Sequence, residues 1–135
     1  MQENNYIHST EFTVRDYECD LQGVVNNANY QHYFEHARHE FLVWKGISFS
    51  ALHEEGLDII VSRVEIDYKW PLRSRDKFVA KLSLRREGNV RVMFDQDIFR
   101  ISDGKHIARA VVTAVATRNG KPVAPRDLIL KLGLE

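Results

Sequence analysis

The chain has 135 residues, with 19 Lys and Arg set against 19 Asp and Glu, so its formal net charge is zero. That length suits a single domain over residues 1–135, since a chain near this size buries roughly 68–70% of its unfolded surface. The balanced charge and the lack of an aromatic-basic motif give nucleic acid no foothold, and no run approaches the ~20 apolar residues of a membrane span. The opening MQENNYIHST has neither a charged n-region nor an apolar h-region, so a cytoplasmic protein is expected. Its one cysteine, Cys19, excludes an internal disulfide framework and fits a reducing compartment.

Taken in chain order, residues from Ile7 to Asp16 read as a first strand, with Phe12 and Val14 on one face. From Asn29 to Lys45, Tyr30, Tyr33, Phe34, Ala37, Phe41 and Trp44 recur at steps of three and four, the period of one buried helical face. Asn26, Asn27 and Asn29 precede that run and can cap its free N–H groups, and Gly46 follows as a C′ stop. Ser48 to Gly56 reads as a loop. Beyond it Ile60, Val64, Ile66, Tyr68 and Trp70 alternate with Arg63, Glu65, Asp67 and Lys69, which predicts a half-buried strand ended by Pro71. Phe78, Ala80, Leu82 and Leu84 mark the next strand, Gly88-Asn89 a two-residue hairpin turn, and Val90 to Ile98 its partner. Asp103-Gly104 is a second hairpin signal before a long strand from His106 to Arg118. One face of that strand is Ala108, Ala110, Val112, Ala114 and Ala116, small enough for the main helix to lie close. A short helix is expected from Pro125 to Leu132.

These elements predict an α+β domain, a five-stranded antiparallel sheet with one long helix on one face. Val79, Val111 and Val115 fall on the opposite face, so part of it is expected to close against another subunit, as a homodimer or homotetramer.

The segment DLQGVVNNANYQHYFEHAR, Asp20 to Arg38, sets an acid, a Gly turn, two amides and a helix in succession. A carboxylate beside a helix N-terminus is placed to act as base or nucleophile, while the first free N–H groups face the oxyanion that the chemistry creates. Val24 and Val25 N–H are the candidate donors, and Asn27 is a candidate for orienting water or a carbonyl. The segment resembles the signature of the hotdog-fold thioesterases of the 4-hydroxybenzoyl-CoA and acyl-CoA thioesterase group. Asp20 falls at that family's catalytic carboxylate, Gly23 at its turn glycine, Val25 at the following hydrophobic, and Tyr30 and Tyr33 at its aromatic pair. Glu35, Ala37 and Arg38 match its Glu-x-Ala-Arg, and Val25-Asn26-Asn27 resembles the acyl-ACP branch. A His common in related branches is absent at Val24 and Asn27, so Asp20 must work with amides and backbone. The resemblance implies a curled sheet around a central helix, hydrolysis of an acyl-CoA thioester, sites completed between subunits, and no metal or redox cofactor.

Asp20 as general base and Asp20 as nucleophile both remain open at this point, as do an acyl-ACP substrate and a non-catalytic acyl-binding module of the same fold. Asn26, Tyr30 and Tyr33 are candidate substrate contacts. Arg85, Arg86 and Arg91 flank the Gly88-Asn89 turn and Arg73 and Arg75 follow Pro71, and either group suits a carrier's phosphates as well as a solvated surface. Arg109 and Arg118 are weaker candidates. Cys19 has no partner His in a nucleophile motif, His32, His36 and His39 sit on a polar helix face where adventitious metal binding outweighs catalysis, and Glu35 with Arg38 reads equally as a structural ion pair.

Overall fold

The computed structural model describes residues 5–124 and 126–133, which leaves Pro125 of the expected C-terminal helix outside the described residues. Its elements in chain order are β1 (His8–Thr13), a 3-10 turn (Asp16–Glu18), α1 (Asn27–Trp44), α2 (Phe49–Glu54), β2 (Leu57–Tyr68), β3 (Lys77–Glu87), β4 (Arg91–Arg100), β5 (His106–Arg118), β6 (Lys121–Pro122) and α3 (Arg126–Leu132). The strands form one antiparallel sheet in the order β1-β3-β4-β5-β2, with β6 paired to the end of β5.

The long helix starts where Asn26 supplies a cap, its Oδ1 accepting the Ala28 N–H at 2.9 Å. It stops at Gly46, whose φ of 77° lies in the left-handed region that a side chain disfavours. Tyr30, Tyr33, Phe34, Ala37, Phe41 and Leu42 form its buried face. Facing them, Ala108, Ala110, Val112 and Ala114 are at most 1% exposed, and these short side chains let the helix axis approach the sheet. Phe34 and Phe41, at 1% and 0% exposure, each contribute about 2–3 kcal/mol of burial. The sheet thus wraps α1, the architecture that the resemblance implies. Among the described residues no helix is long and apolar enough to cross a membrane.

Several expectations need correction. The segment read as a loop carries α2, a single short helix capped by Ser48 and anchored by Leu52 alone, too brief to print a helical period. Trp44 is 62% exposed and touches the sheet only at its margin, its ring 5.2 Å from that of His8 on β1, and Leu42 takes the buried place instead. A register shift between Val61 and Arg63 adds a residue to β2. It puts Ile60 opposite Val115 on the outer face while Val64 lies opposite Val112 on the helix face, so the two do not share a side. The β3–β4 turn has three residues rather than two, since Glu87 pairs with Arg91, and only its Gly88 takes a positive φ. Likewise Gly104 alone, not Asp103, is left-handed in the β4–β5 turn.

One edge of the sheet has consequences for assembly. Among the described residues β2 pairs only with β5, and no strand pairs with its other side along twelve residues. Ile60, Val61, Val64 and Tyr68 on it are 50%, 42%, 38% and 48% exposed. A long apolar edge of this kind is a template for pairing with another strand.

Candidate active site

The acid loop is built by local hydrogen bonds and then pinned from outside. Asp20 N–H donates to Val24 O at 2.9 Å and Gly23 N–H to Asp20 O at 3.0 Å, closing a tight turn that Gly23 completes at φ 79°. Asp20 Oδ1 accepts the Gln22 N–H at 2.8 Å, which fixes the carboxylate on its own turn. Its Oδ2 takes no hydrogen bond among the described residues, and the side chain is exposed. The segment before β3 holds the loop in place: Val25 N–H donates to Leu72 O at 2.8 Å, and Leu72 N–H donates to the Tyr30 hydroxyl at 3.2 Å. Ser74 further donates its hydroxyl to the Asp16 carboxylate.

This geometry sorts the predicted residues. Val25 is not an oxyanion donor, because its N–H is spent on Leu72 and its side chain is 4% exposed. Val24 N–H and Asn27 N–H, by contrast, have no hydrogen-bond partner among the described residues, and they flank the turn into α1. The backbone of Asn27 was missed in the sequence, although every helix start leaves such donors free. Asn26 is committed to structure, with its Oδ1 in the cap and its N–H on Glu18 O, whereas the Asn27 side-chain amide has no hydrogen-bond partner among the described residues. Asn29 is also structural, its Nδ2 donating to Glu18 O at 2.9 Å. Tyr30 is 3% exposed with its hydroxyl on Leu72, so it braces the loop from beneath rather than meeting substrate. Tyr33 is 4% exposed, its buried hydroxyl makes no hydrogen bond of normal geometry among the described residues, and the residue borders a cleft lined by Phe12, Glu18 and His32. Burial first, and then the Glu18 carboxylate, hold that phenol protonated well above its usual range.

Burial, together with the charges of Asp16, Asp20 and Glu18, also pushes the Cys19 thiol up, which disfavours the thiolate that a nucleophile requires. His36 lies against Phe12 and 3.5 Å from Glu40, and His39 against Phe49. The Glu35–Arg38 ion pair does not form: Arg38 Nη1 instead donates to Gln96 Oε1 at 3.0 Å.

The phosphate candidates divide by place. Arg85 is held by Asp95 at 2.8 Å and Arg91 lies 3.9 Å from Glu87, so both guanidiniums already face carboxylates. Arg86 has no ion pair among the described residues and shares a cavity with Arg126, but it lies near the far end of β3 from the acid loop. At ~3.3 Å per residue that is roughly 30 Å away along the strand. Arg109 is bound to Asp97 and Arg118 to Glu55 O. Arg73 and Arg75 remain: Arg73 is bridged to Val24 beside Asp20, and neither guanidinium has an ion pair among the described residues. Around them Leu21 is fully exposed, Tyr17 and Trp70 are 79% and 52% exposed, and Lys105 Nζ sits 3.7 Å over the Trp70 ring.

Comparison with known proteins agrees with this architecture. A family model for the thioesterase-like superfamily matches residues 14–131. The chain is 41% identical over 108 residues to the acyl-acyl carrier protein thioesterase ATL3, chloroplastic, of Arabidopsis thaliana, covering 80% of this chain and 57% of that protein. It therefore spans little more than half the length of that relative. It is 33% identical over 117 residues to a putative esterase of Aquifex aeolicus, covering 86% of this chain and 90% of the relative. The crystal structure of Slr0204 from Synechocystis, a 1,4-dihydroxy-2-naphthoyl-CoA thioesterase, superposes with a TM-score of 0.85 at 19% identity, covering 93% and 94% of the two chains. That likeness bears on the fold alone. On its matched residues and its helix-wrapping sheet, the chain belongs to the thioesterase-like superfamily and has the hotdog fold.

Proposed function

We propose that this protein hydrolyses acyl thioesters, with Asp20 as the catalytic carboxylate. The observation that carries the reading is the acid turn itself: a carboxylate fixed by Gln22 N–H with one oxygen unengaged, flanked by the free N–H groups of Val24 and Asn27. As a base, Asp20 takes a proton from water while the water oxygen bonds to the thioester carbon. The carbonyl oxygen becomes an oxyanion received by the two N–H groups, and collapse breaks the C–S bond, the thiolate recovering the proton from Asp20. As a nucleophile, the carboxylate itself bonds to that carbon, expels the thiolate and leaves an anhydride for water to open. A single turnover in ¹⁸O-water separates the routes, because opening the anhydride at the Asp20 carbon leaves label in the protein.

A carrier's phosphates would meet Arg73 and Arg75, whose guanidiniums have no ion pair among the described residues and lie beside the loop. Coenzyme A is the carrier of the leading reading. An acyl carrier protein is the second, favoured by the name of the Arabidopsis relative. The apolar free edge of β2 and the exposed Leu21 support a homodimer in which the second copy covers the site.

Thiol release from short, medium, long and aromatic acyl-CoA esters, beside Asp20→Asn, is the test. Turnover is expected to fall by about 10²–10⁴-fold in the variant. Full activity in Asp20→Asn removes that residue from the chemistry, and silence on both CoA and carrier-protein esters leaves an acyl-binding module. Light scattering is expected to give twice the chain's 15.7 kDa. A fully active monomer would remove the second copy.

A further inference from the structure

Arg38 is a cation that the chemistry above does not use. It is half-buried on the face of α1 beside β2, and its one hydrogen-bonded partner among the described residues is the neutral Gln96, which is 0% exposed and donates its own Nε2 to Phe34 O at 3.0 Å. Gln96 therefore orients the guanidinium without neutralising it. Glu35, the nearest carboxylate by electrostatic influence, is exposed and forms no ion pair with it. Burial lowers the pKa of Arg38, with Glu35 pulling weakly the other way, so the guanidinium sits where an anion would relieve a desolvated charge.

The guanidinium borders a cleft of about 330 Å³ that Glu35 and His39 also line, on α1 beside it, and whose other walls are apolar, among them Leu42, Phe49, Ile59, Val61 and Phe94. Arg38 Cζ lies 6.0 Å from the Phe94 ring centroid, and apart from the Nη1 bond to Gln96 its N–H donors have no hydrogen-bond partner among the described residues. The volume lies at the lower end of the range for small-molecule pockets. A mostly apolar cleft whose guanidinium has no ion-pair partner among the described residues matches an apolar chain that ends in a carboxylate, because the guanidinium fork receives both carboxylate oxygens.

We propose that the cleft between α1, α2 and β2 binds a medium-length carboxylate, with Arg38 holding the head and Leu42, Phe49 and Phe94 the chain. The site stands on its own chemistry. Identifying its ligand with the free acid released at Asp20 rests on the thioesterase reading, and a half-acid acyl group whose far carboxylate enters the cleft is the other source of the same chemistry.

The test is calorimetric titration of the assembled wild-type protein with octanoate and with 1-octanol, repeated on Gln96→Glu, which sets a carboxylate against Arg38, and on Arg38→Met. Octanoate is expected to bind at least about tenfold tighter than the alcohol, the margin of one charge-assisted contact, and both variants are expected to lose that margin while alcohol binding persists. Equal affinity of acid and alcohol for the wild type, a comparison that needs no variant to fold, overturns the proposal. So does an acid preference that survives in a folded Gln96→Glu protein. Competition of octanoate against octanoyl-CoA hydrolysis points to the product. A faster rate on suberyl-CoA than on octanoyl-CoA, lost in Gln96→Glu, points to the half-acid. Thiol release without acid preference sinks only this inference, and acid binding without thiol release sinks only the enzyme reading.

Discussion

Replacing Gln96 by Leu removes the polar bridge between α1 and β4 while keeping nearly the same volume. Two hydrogen bonds go: that from Arg38 Nη1 at 3.0 Å and that to Phe34 O at 3.0 Å. The first involves a charged group, worth about 1.5–3 kcal/mol, and the second is neutral, worth about 0.5–1.5 kcal/mol. Added apolar contact from Leu offsets about 1 kcal/mol. The net expected loss is about 1–3.5 kcal/mol. With an unfolding entropy of roughly 2.1 cal/mol/K per residue, a chain of 135 residues carries about 0.28 kcal/mol/K, so the melting temperature should fall by roughly 4–12 °C. Scanning calorimetry at neutral pH measures this, and a double-mutant cycle with Arg38→Met locates it. If Arg38 and Gln96 act as one unit, the double variant should lose less than the sum of the singles by about 1–2 kcal/mol. A loss under about 0.5 kcal/mol in Gln96→Leu, or strict additivity in the cycle, refutes the claim that Gln96 is what holds Arg38 in its cleft.

Two further outcomes follow from buried and shifted groups. Asp97 on the outer face of the sheet is 2% exposed and lies 2.8 Å from the Tyr6 hydroxyl, 2.8 Å from His106 Nε2 and 2.9 Å from Arg109 Nη1. Because the Arg109 side chain keeps 35% exposure and can rehydrate, Asp97→Ala should cost about 3 kcal/mol in urea unfolding, the lower end for a broken buried pair, and a cost below about 1 kcal/mol would contradict the network. The raised pKa of Cys19 means that its thiolate fraction grows only above the ordinary thiol range. The rate of iodoacetamide alkylation should accordingly rise with a midpoint above the free-thiol value of about 8.5, and a midpoint at or below that value would show that neither burial nor the three nearby carboxylates governs it.

The acid loop shows how far a motif reaches. The turn, the cap and the helix start are all contacts between residues a few positions apart, and the run from Asp20 to Asn29 contains every group they need. What the loop leans on is remote in sequence. Leu72 takes the Val25 N–H and meets the Tyr30 hydroxyl, so two residues that the motif offers to substrate are withdrawn from it by a segment that carries no signature of its own. The arginines behave alike. Arg85 and Asp95 become partners only because β3 and β4 pair in one register, with Leu84 opposite Phe94.

By itself the sequence determined the helix that fills the fold, the strand from His106 to Arg118 with its small-residue face, the caps at Asn26 and Gly46, and the acid turn at Asp20. Each rests on periodicity or on short-range hydrogen bonding, and those are written in neighbouring residues. Tertiary structure alone decided the bulge that turns Ile60 outward, which N–H groups stay free beside Asp20, which arginines keep an unpaired charge, and the meeting of Arg38 with Gln96. These depend on the register and burial of strands far apart in the chain, and a hydrogen-bonding group is available for chemistry only when the completed fold has left it without another partner.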